Sequence, residues 1–446
     1  MKNIVVVLSG GKGERFESSL PKQFIKLAGK SVIEYTLNSF DRHSMVDQIV
    51  IVSKEDYIEK TWEIVKQNNF KKVHKIIAGG RDRFGSTYAA IQALQKEDGN
   101  ANILFHDAVR PLIDEMTITS CLEALQVYEA IDTAIDATDT IIQVDTDGCI
   151  MDIPDRAYMK RGQTPQGFKL KTIREAYAKA IQNNIRKFTC DCGVVRQMMP
   201  KVPIKVVQSS EKNLKITYPI DLYMAEKYIQ MGSEYTLSEI ALDRLAGKKI
   251  IIFGNSRGIG KDIEAIAKRY GAMVYGASRE TGVDISNRKE IEQFLESKNS
   301  IDIVINTASI LIKKPLEFLE IHEIDRIMDI NYKGTVNVAY LVKPLLQKSH
   351  GVLINFASSS YTRGRANYAL YSSSKAAIVN LTQALSDEWG NIRVNCINPE
   401  RTKTPMREEN FGYEPPETLL DSKVVAEQTL KLALSDFSGI ILDVKR

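Results

Sequence analysis

The stretch Lys248-Lys-Ile-Ile-Ile-Phe-Gly-Asn-Ser-Arg-Gly-Ile-Gly260 constrains this chain more than any other. A short apolar run, Ile250 to Phe253, enters a turn with glycine at 254, 258 and 260 and then a helical pattern, Lys261 to Tyr270. Such a strand, turn and helix offer backbone N–H groups and a helix N-terminus to a pyrophosphate, so the unit reads as the opening of a dinucleotide-binding domain. It begins past the middle of 446 residues. A chain of that length exceeds what one hydrophobic core usually supports, so a separate domain is expected before it.

That preceding part carries a glycine loop of its own. An apolar strand, Ile4 to Leu8, is followed by Ser9-Gly-Gly-Lys-Gly-Glu-Arg15 and by Pro21-Lys-Gln23. Glycines at 10, 11 and 13 let the backbone approach a phosphate, while Arg15 and Lys22 bring fixed positive charge to the same place. Further strands are expected at Gln48 to Val52, Lys75 to Ile77 and Asn102 to Phe105, between helical patterns at Val32 to Asn38, Tyr57 to Asn68 and Ser86 to Gln95. That alternation predicts a parallel, doubly wound sheet whose ligands sit at the carboxyl ends of the strands. Two polar clusters fall at such ends: Gly79-Gly-Arg-Asp-Arg-Phe-Gly-Ser86 and His106-Asp-Ala-Val-Arg-Pro111. Asp107 suits either a nucleotide ribose or a magnesium ion, and Arg110 either holds its loop or faces a phosphate.

Taken in order, Leu-Ser-Gly-Gly-x-Gly-x-Arg, Pro-Lys-Gln, Gly-Gly-x-x-Arg-x-x-Ser and His-Asp-Ala-Val-Arg-Pro resemble the cytidylyltransferase family that makes CDP-methylerythritol or CDP-ribitol. The resemblance continues through Arg156, Thr164-Pro-Gln166, Thr189 and Lys215 and covers residues 1 to about 230. Leu8-Ser9 stands where that family usually has Ala-Ala, and Cys190 partly replaces an acidic position after Thr189. The resemblance implies attack of a polyol phosphate on the α-phosphorus of CTP with loss of pyrophosphate, a reaction catalysed by positioning and charge neutralisation. Arg15 and Lys22 would stabilise the growing charge. Leu8, Ser9, Gly10, Gly11, Gly80, Arg83, Ser86 and Asp107 would hold CTP, and Arg156, Thr189 and Lys215 the incoming sugar phosphate. Magnesium on the phosphates is expected, with protein ligands that the sequence does not identify. Between Thr138 and Gly167 the chain reads as a hairpin turning at Asp147-Gly148. In the resembled family this insertion is an arm that embraces a second subunit, which implies a homodimer and places Arg156 at the partner's site.

The second half opens with the loop already described and continues through strand Met273 to Ala277 to Ser278-Arg279. An acidic side chain about twenty residues past the glycines selects NAD, whereas an arginine accommodates the 2′-phosphate of NADP. Arg279, with Arg257 in the loop, points to NADPH. Asp284-Ile-Ser, Asn306-Thr-Ala-Ser309, Asn331-Tyr-Lys-Gly, Ser358 and Tyr371-Ser-Ser-Ser-Lys375 follow. This set resembles the short-chain dehydrogenase/reductase family over residues 247 to 446. It implies a cofactor site at Gly254, Ser256, Arg257, Gly258, Ile259, Gly260, Arg279, Asp284, Asn306 and Ala308. A tyrosine with a pKa near about 10 needs a nearby cation to work as an acid–base group, and Lys375, one turn on, would supply it. Tyr371 would protonate a carbonyl oxygen that Ser358 polarises, and Asn331 would organise a proton relay. Ser309 and Glu400 stand where the family usually has glycine, and a short segment after Pro399 suggests a reduced lid.

The expected fold class is therefore α/β with two doubly wound domains, a nucleotidyltransferase Rossmann-like domain at 1–232 and a reductase Rossmann domain at 247–446, joined by a short, partly helical connector at 233–246. Composition limits the partners. A net charge of +4, spread over both halves, argues against nucleic acid and suits small anionic substrates. The five cysteines form no zinc pattern and read as reduced thiols. No stretch reaches the roughly 18 apolar residues of a membrane span, so a cytoplasmic enzyme is expected. The pairing implies that one domain makes what the other consumes. A pentulose phosphate, ribulose 5-phosphate, would be reduced to ribitol 5-phosphate and converted to CDP-ribitol for surface polymers. Arabinitol or methylerythritol phosphate as the polyol, or one domain kept only for binding or dimerisation, are the alternatives.

Overall fold

The computed structural model describes residues 1–11 and 20–446, leaving aside the side chains of 231–236 and 238. The chain divides into two compact units, Met1–Glu226 and Lys227–Arg446. Helix Pro219–Ser238 carries it from one to the other, and a 3-10 turn, Leu242–Leu245, precedes the first strand of the second sheet. Among the described residues no helix is long and apolar enough to cross a membrane.

In the first unit the near-continuous apolar runs Ile4–Val7 and Ile49–Val52 are buried on both faces, as parallel strands covered by helices must be. The sheet has seven strands in the order Ile204–Gln208, Ala130–Asp136, Lys160–Lys169, Asn102–Asp107, Asn3–Ser9, Gln48–Ser53 and Val73–Ala78. Lys160–Lys169 runs antiparallel to both of its neighbours and the rest pair in parallel. Alternating side chains serve two cores. Ile4, Val6 and Phe105 pack with Phe168 and Tyr177, while Val5, Val7 and Ile51 pack with Phe40 and Leu122. Leu8 is in register with Asp107, so the first glycine loop and the His106–Arg110 turn leave neighbouring strands at one end of the sheet. The helix expected from Ser86 begins earlier, at Arg83, because the Asp82 carboxylate caps it by accepting from Gly85 N at 2.7 Å. The hairpin forms as expected: Gln143–Val144 pairs with Ile150–Asp152, with Gly148 at φ +84°.

The second unit has a six-stranded, wholly parallel sheet ordered Met273–Ala277, Lys249–Phe253, Ile303–Asn306, Val352–Phe356, Arg393–Pro399 and Ile441–Val444. Chain direction across the sheet reverses between Lys249–Phe253 and Ile303–Asn306, the kind of crevice where doubly wound sheets take their ligands. Ile251, Val304 and Leu353 face a core with Ile291 and Val338, and Cys396 and Ile441 form a separate, smaller cluster with Ile378. All five cysteines are free.

Candidate active sites

In the first unit the polar clusters converge. Ser86 Oγ packs against Gly10 and Gly79, and a Cβ on Gly80 would lie 2.5 Å from the Gly85 carbonyl carbon, so only glycine lets this loop fold onto its helix. Gln23, buried, donates to Ser9 O at 2.8 Å and fixes the exit of the first strand. Lys22 Nζ reaches the carbonyls of Thr217, at 3.3 Å, and Ile216, at 3.5 Å, which sets it beside Lys215. Gly13 and Arg15 lie outside the described residues.

A carboxylate organises the charges. Asp107 receives Arg83 Nη1 at 2.7 Å and Lys215 Nζ at 3.0 Å, with Arg110 Nε at 3.5 Å. Burial by itself would push Asp107 upward, but Arg83, Lys215 and Arg110 outweigh it and hold the carboxyl well below the usual range. The other arm of Arg83 meets Asp191 at 2.9 Å, and Asp191 also accepts the Tyr177 hydroxyl at 2.7 Å. Asp191 was not anticipated from the sequence, although an acid between two cysteines at the start of helix Asp191–Met198 was a visible signal. Arg110 proves to hold its loop, donating to Asn213 O at 2.8 Å. His106, pushed down to about 4 by burial, is neutral, so its Nε2 donates to Arg110 O at 3.2 Å and its Nδ1 accepts from Thr164 at 3.1 Å.

The structure thus gathers Gly10, Ser86, Arg83, Asp107 and Lys215, with Lys22 at the border. It leaves Arg156 and Thr189 exposed. Arg156 donates to Thr138 O at 3.1 Å, on the arm. Among the described residues no three His, Cys, Asp or Glu side chains cluster as a metal cage. Asp107, with its oxygens on Arg83 and Lys215, does not fit the part of a magnesium ligand.

In the second unit a cavity of about 780 Å³ opens at the sheet crevice, bordered by Gly254, Arg279, Asp284, Ala308, Tyr371 and Lys375. Ser256, Arg257, Gly258, Ile259 and Gly260 form its loop wall. Gly260 is obligatory there, since a Cβ would lie 2.3 Å from Gly254 O. This bare backbone cradle, with Arg279 beside it, fits a dinucleotide phosphate. Asn306 lies behind the wall, accepting from Ala308 N at 3.3 Å and donating to Thr335 at 3.1 Å. Arg257 is drawn away by Glu409 of helix Pro405–Phe411, a bidentate partner that the sequence did not suggest. Asp284 caps its own turn, accepting from Ser286 N at 2.9 Å.

Asn331 sits on a π-helical turn, Asp329–Lys333, fully buried. Its Oδ1 accepts from Ile310 N at 2.8 Å and Ser309 Oγ at 2.9 Å, and its Nδ2 donates to Ile310 O at 2.9 Å. Ser309, the departure from the family pattern, therefore fastens the loop after Asn306 through this amide. Of the three consecutive serines it is Ser358 that acts on the Tyr371 phenol, and it receives Ser360 Oγ at 3.2 Å. Lys375 Nζ donates to Phe356 O at 2.9 Å and lies 5.5 Å from the centre of the Tyr371 ring. Burial pushes Tyr371 up to about 12, opposed by the Ser358 hydrogen bond and by the charge of Arg407. Arg407 adds its charge to the surroundings of the phenol, while Lys375 remains beside the ring and anchored on a strand carbonyl. Lys375 itself is pushed down to about 8 by burial.

Comparison with known proteins defines the class. The chain matches the family model of 2-C-methyl-D-erythritol 4-phosphate cytidylyltransferase over residues 3–231 and that of short chain dehydrogenase over residues 279–414. It is an enzyme with a cytidylyltransferase unit followed by a short-chain reductase unit. Over 454 aligned residues it is 45% identical to the bifunctional ribulose 5-phosphate reductase/CDP-ribitol pyrophosphorylase Bcs1 of Haemophilus influenzae, covering 99% of this chain and 96% of that protein. The chain belongs to the family of that two-domain protein. Its first unit is also 39% identical to a 2-C-methyl-D-erythritol 4-phosphate cytidylyltransferase of Thermobifida fusca, over 51% of this chain and 92% of the other. Among solved structures, 4-diphosphocytidyl-2C-methyl-D-erythritol synthase of Anaerococcus prevotii matches with TM-score 0.45 and 27% identity, covering 51% of this chain and 98% of that one.

Proposed function

We infer that this chain reduces D-ribulose 5-phosphate to D-ribitol 5-phosphate with NADPH and transfers CMP from CTP to that product, giving CDP-ribitol and pyrophosphate. The observation that carries this reading is the end-to-end match to a relative named for both activities, with 99% of this chain aligned. The geometry supports it at each site.

In the first unit, CTP phosphates would lie over the glycine loop at Gly10, Gly11 and Gly80, with Ser86 at the helix entrance. Lys22 and Lys215 would neutralise charge on the nucleotide and on the incoming sugar phosphate. Asp107 positions Lys215 and Arg83. Magnesium would be held by the nucleotide's phosphates and would offset their charge. In the second unit, NADPH in the 780 Å³ cavity would supply the hydride. Arg279 would meet its 2′-phosphate, and Arg257 would do so on leaving Glu409. Tyr371, raised to about 12, holds its proton at neutral pH and gives it to the carbonyl oxygen, which Ser358 also contacts. Asn331 keeps the loop under the cofactor in place. A homodimer through the arm is supported by its exposed apolar side chains, Ile142, Ile150, Met151 and Ile153.

Purified protein given ribulose 5-phosphate, NADPH, CTP and magnesium should oxidise NADPH and release pyrophosphate. Failure of either, with ribitol 5-phosphate supplied directly for the second, overturns the reading. The pH profile gives a further expected result. Lys375 loses its charge as pH rises through about 8, while the Cys396 thiol beside it, raised to about 12, stays neutral. NADPH oxidation should therefore hold steady below about pH 8 and fall roughly tenfold per unit above it. A rate level up to pH 10 would show that the ammonium is not required.

A further inference from the structure

A second cavity of about 410 Å³ adjoins the cofactor cavity in the Lys227–Arg446 unit, and Tyr371 borders both. A substrate that presents its carbonyl to Tyr371 can extend into this space. Its wall carries Arg365, Arg401 and Arg407. We propose that Arg365 and Arg407, with Arg401 at the rim, form a subsite for the terminal phosphate of an open-chain sugar phosphate, and so make this reductase selective for phosphorylated ketoses. The proposal rests on the reduction reaction inferred above and adds the residues that would recognise the phosphate.

An uncharged pentulose offers only hydroxyls and a carbonyl, which need no guanidinium. Three guanidinium groups around one small space repel one another unless anions compensate them. The compensation present is partial. Glu414 takes Nε of Arg407 at 2.6 Å and Nη2 at 2.8 Å, and stands 4.0 Å from Arg401. Glu400, also on the cavity wall, has its carboxylate on the backbone N–H of Arg446 at 3.3 Å. The guanidinium of Arg365 makes no hydrogen bond or ion pair among the described residues, so the cavity keeps a surplus of positive charge. A dianionic phosphate would satisfy it with the paired N–H donors that guanidinium groups offer.

Arg407 is also pre-set. It stacks 3.9 Å over the Phe411 ring, which in turn packs edge-on against Tyr368, and the pair with Glu414 leaves Nη1 for another acceptor. A group held by two neighbours loses little freedom on binding. Arg407 and Tyr371 line the same cavity of about 410 Å³, which suits a substrate whose phosphate lies only a few carbons from its carbonyl.

The test compares NADPH oxidation by the full chain on ribulose 5-phosphate and on unphosphorylated ribulose, in wild type and in Arg365→Gln and Arg407→Gln. Each variant is expected to raise KM for the phosphorylated ketose about 10- to 100-fold, the worth of a charge-assisted hydrogen bond, and to reduce the preference for it over ribulose by a like factor. Inorganic phosphate should compete with ribulose 5-phosphate in wild type and much less in Arg365→Gln. Should Arg407→Gln disturb its helix, Arg365→Gln alone decides, since that guanidinium pairs with none of the described residues. An unchanged preference in Arg365→Gln overturns the proposal. If wild type reduces no pentulose phosphate, the reaction assigned above fails instead. The subsite is then judged by calorimetric titration of inorganic phosphate with NADPH and CTP present. Weaker binding by Arg365→Gln supports it, and identical isotherms overturn it.

Discussion

Tyr371→Phe should lower NADPH-dependent reduction by about a hundred- to ten-thousand-fold, the usual worth of a positioned acid, while leaving cytidylyl transfer from supplied ribitol 5-phosphate intact. The substitution removes one oxygen. The ring keeps its edge contact with Tyr368, 6.3 Å between centroids, and its place under Lys375, so the helix Ala369–Glu388 retains its packing. What is lost is the proton that a pKa near 12 keeps on the phenol, and with it one partner of Ser358. KM for the ketose should move far less than kcat, because the phosphate would be held by other residues. The cytidylyltransferase residues all lie in the other unit, Met1–Glu226. Simultaneous loss of both activities, with the thermal transition unchanged, would show that the sites do not act independently. Reduction persisting at a tenth of wild type or more would remove Tyr371 from the role of acid.

Much of this was legible in the sequence because strand-to-helix turns are local. The runs Ile4–Leu8 and Ile250–Phe253, followed by glycine, specify both the strand and the place where a phosphate can approach. Tyr371, Lys375 and Ser358 could be named from spacing on one helix and one strand end. What could not be read was where charged side chains turn. Lys375 lies one turn from Tyr371 and stays beside its ring, but its hydrogen bond to Phe356 O could not be read from spacing, nor could the charge that Arg407, from a helix distant in sequence, adds near the phenol. Arg257 pairs with Glu409, more than a hundred residues away, and Arg83 with Asp191, contacts that only tertiary packing creates. The first sheet was read only as far as Asn102–Asp107. Lys160–Lys169 was missed as a strand because it runs antiparallel, holds Pro165 and is bulged between Gly162 and Gln166, which breaks the alternation that marks a strand.

Arg83→Met should be the most damaging single change in the first unit. The guanidinium bridges two carboxylates whose side chains are 8% and 1% exposed, Asp107 and Asp191. Removing it leaves Asp191 with the Tyr177 hydroxyl and Asp107 with Lys215 and Arg110, so a buried negative charge goes uncompensated, at a cost of about 3–5 kcal/mol. The sign of the pH dependence follows. Asp107 is held below its ordinary range in the folded wild type, so its contribution is present above the unfolded-state pKa, about 3.9, and is lost as pH falls below it. In the variant the Asp107 carboxyl loses the first of the charges that hold it down, moves upward under burial and takes up its proton sooner. The stability gap should therefore be widest near neutral pH and narrow as pH falls toward about 4. Urea unfolding of the full chain, followed through the transition of the Met1–Glu226 unit, measures it. Reduction should survive, since Arg83 lies outside the reductase unit. Arg83→Lys should fall between, because one ammonium cannot span oxygens that a guanidinium reaches at 2.7 and 2.9 Å with separate nitrogens. A methionine variant as stable as wild type at neutral pH would mean that Lys215 and Arg110 already suffice, and that Arg83 is held for the nucleotide rather than for the fold.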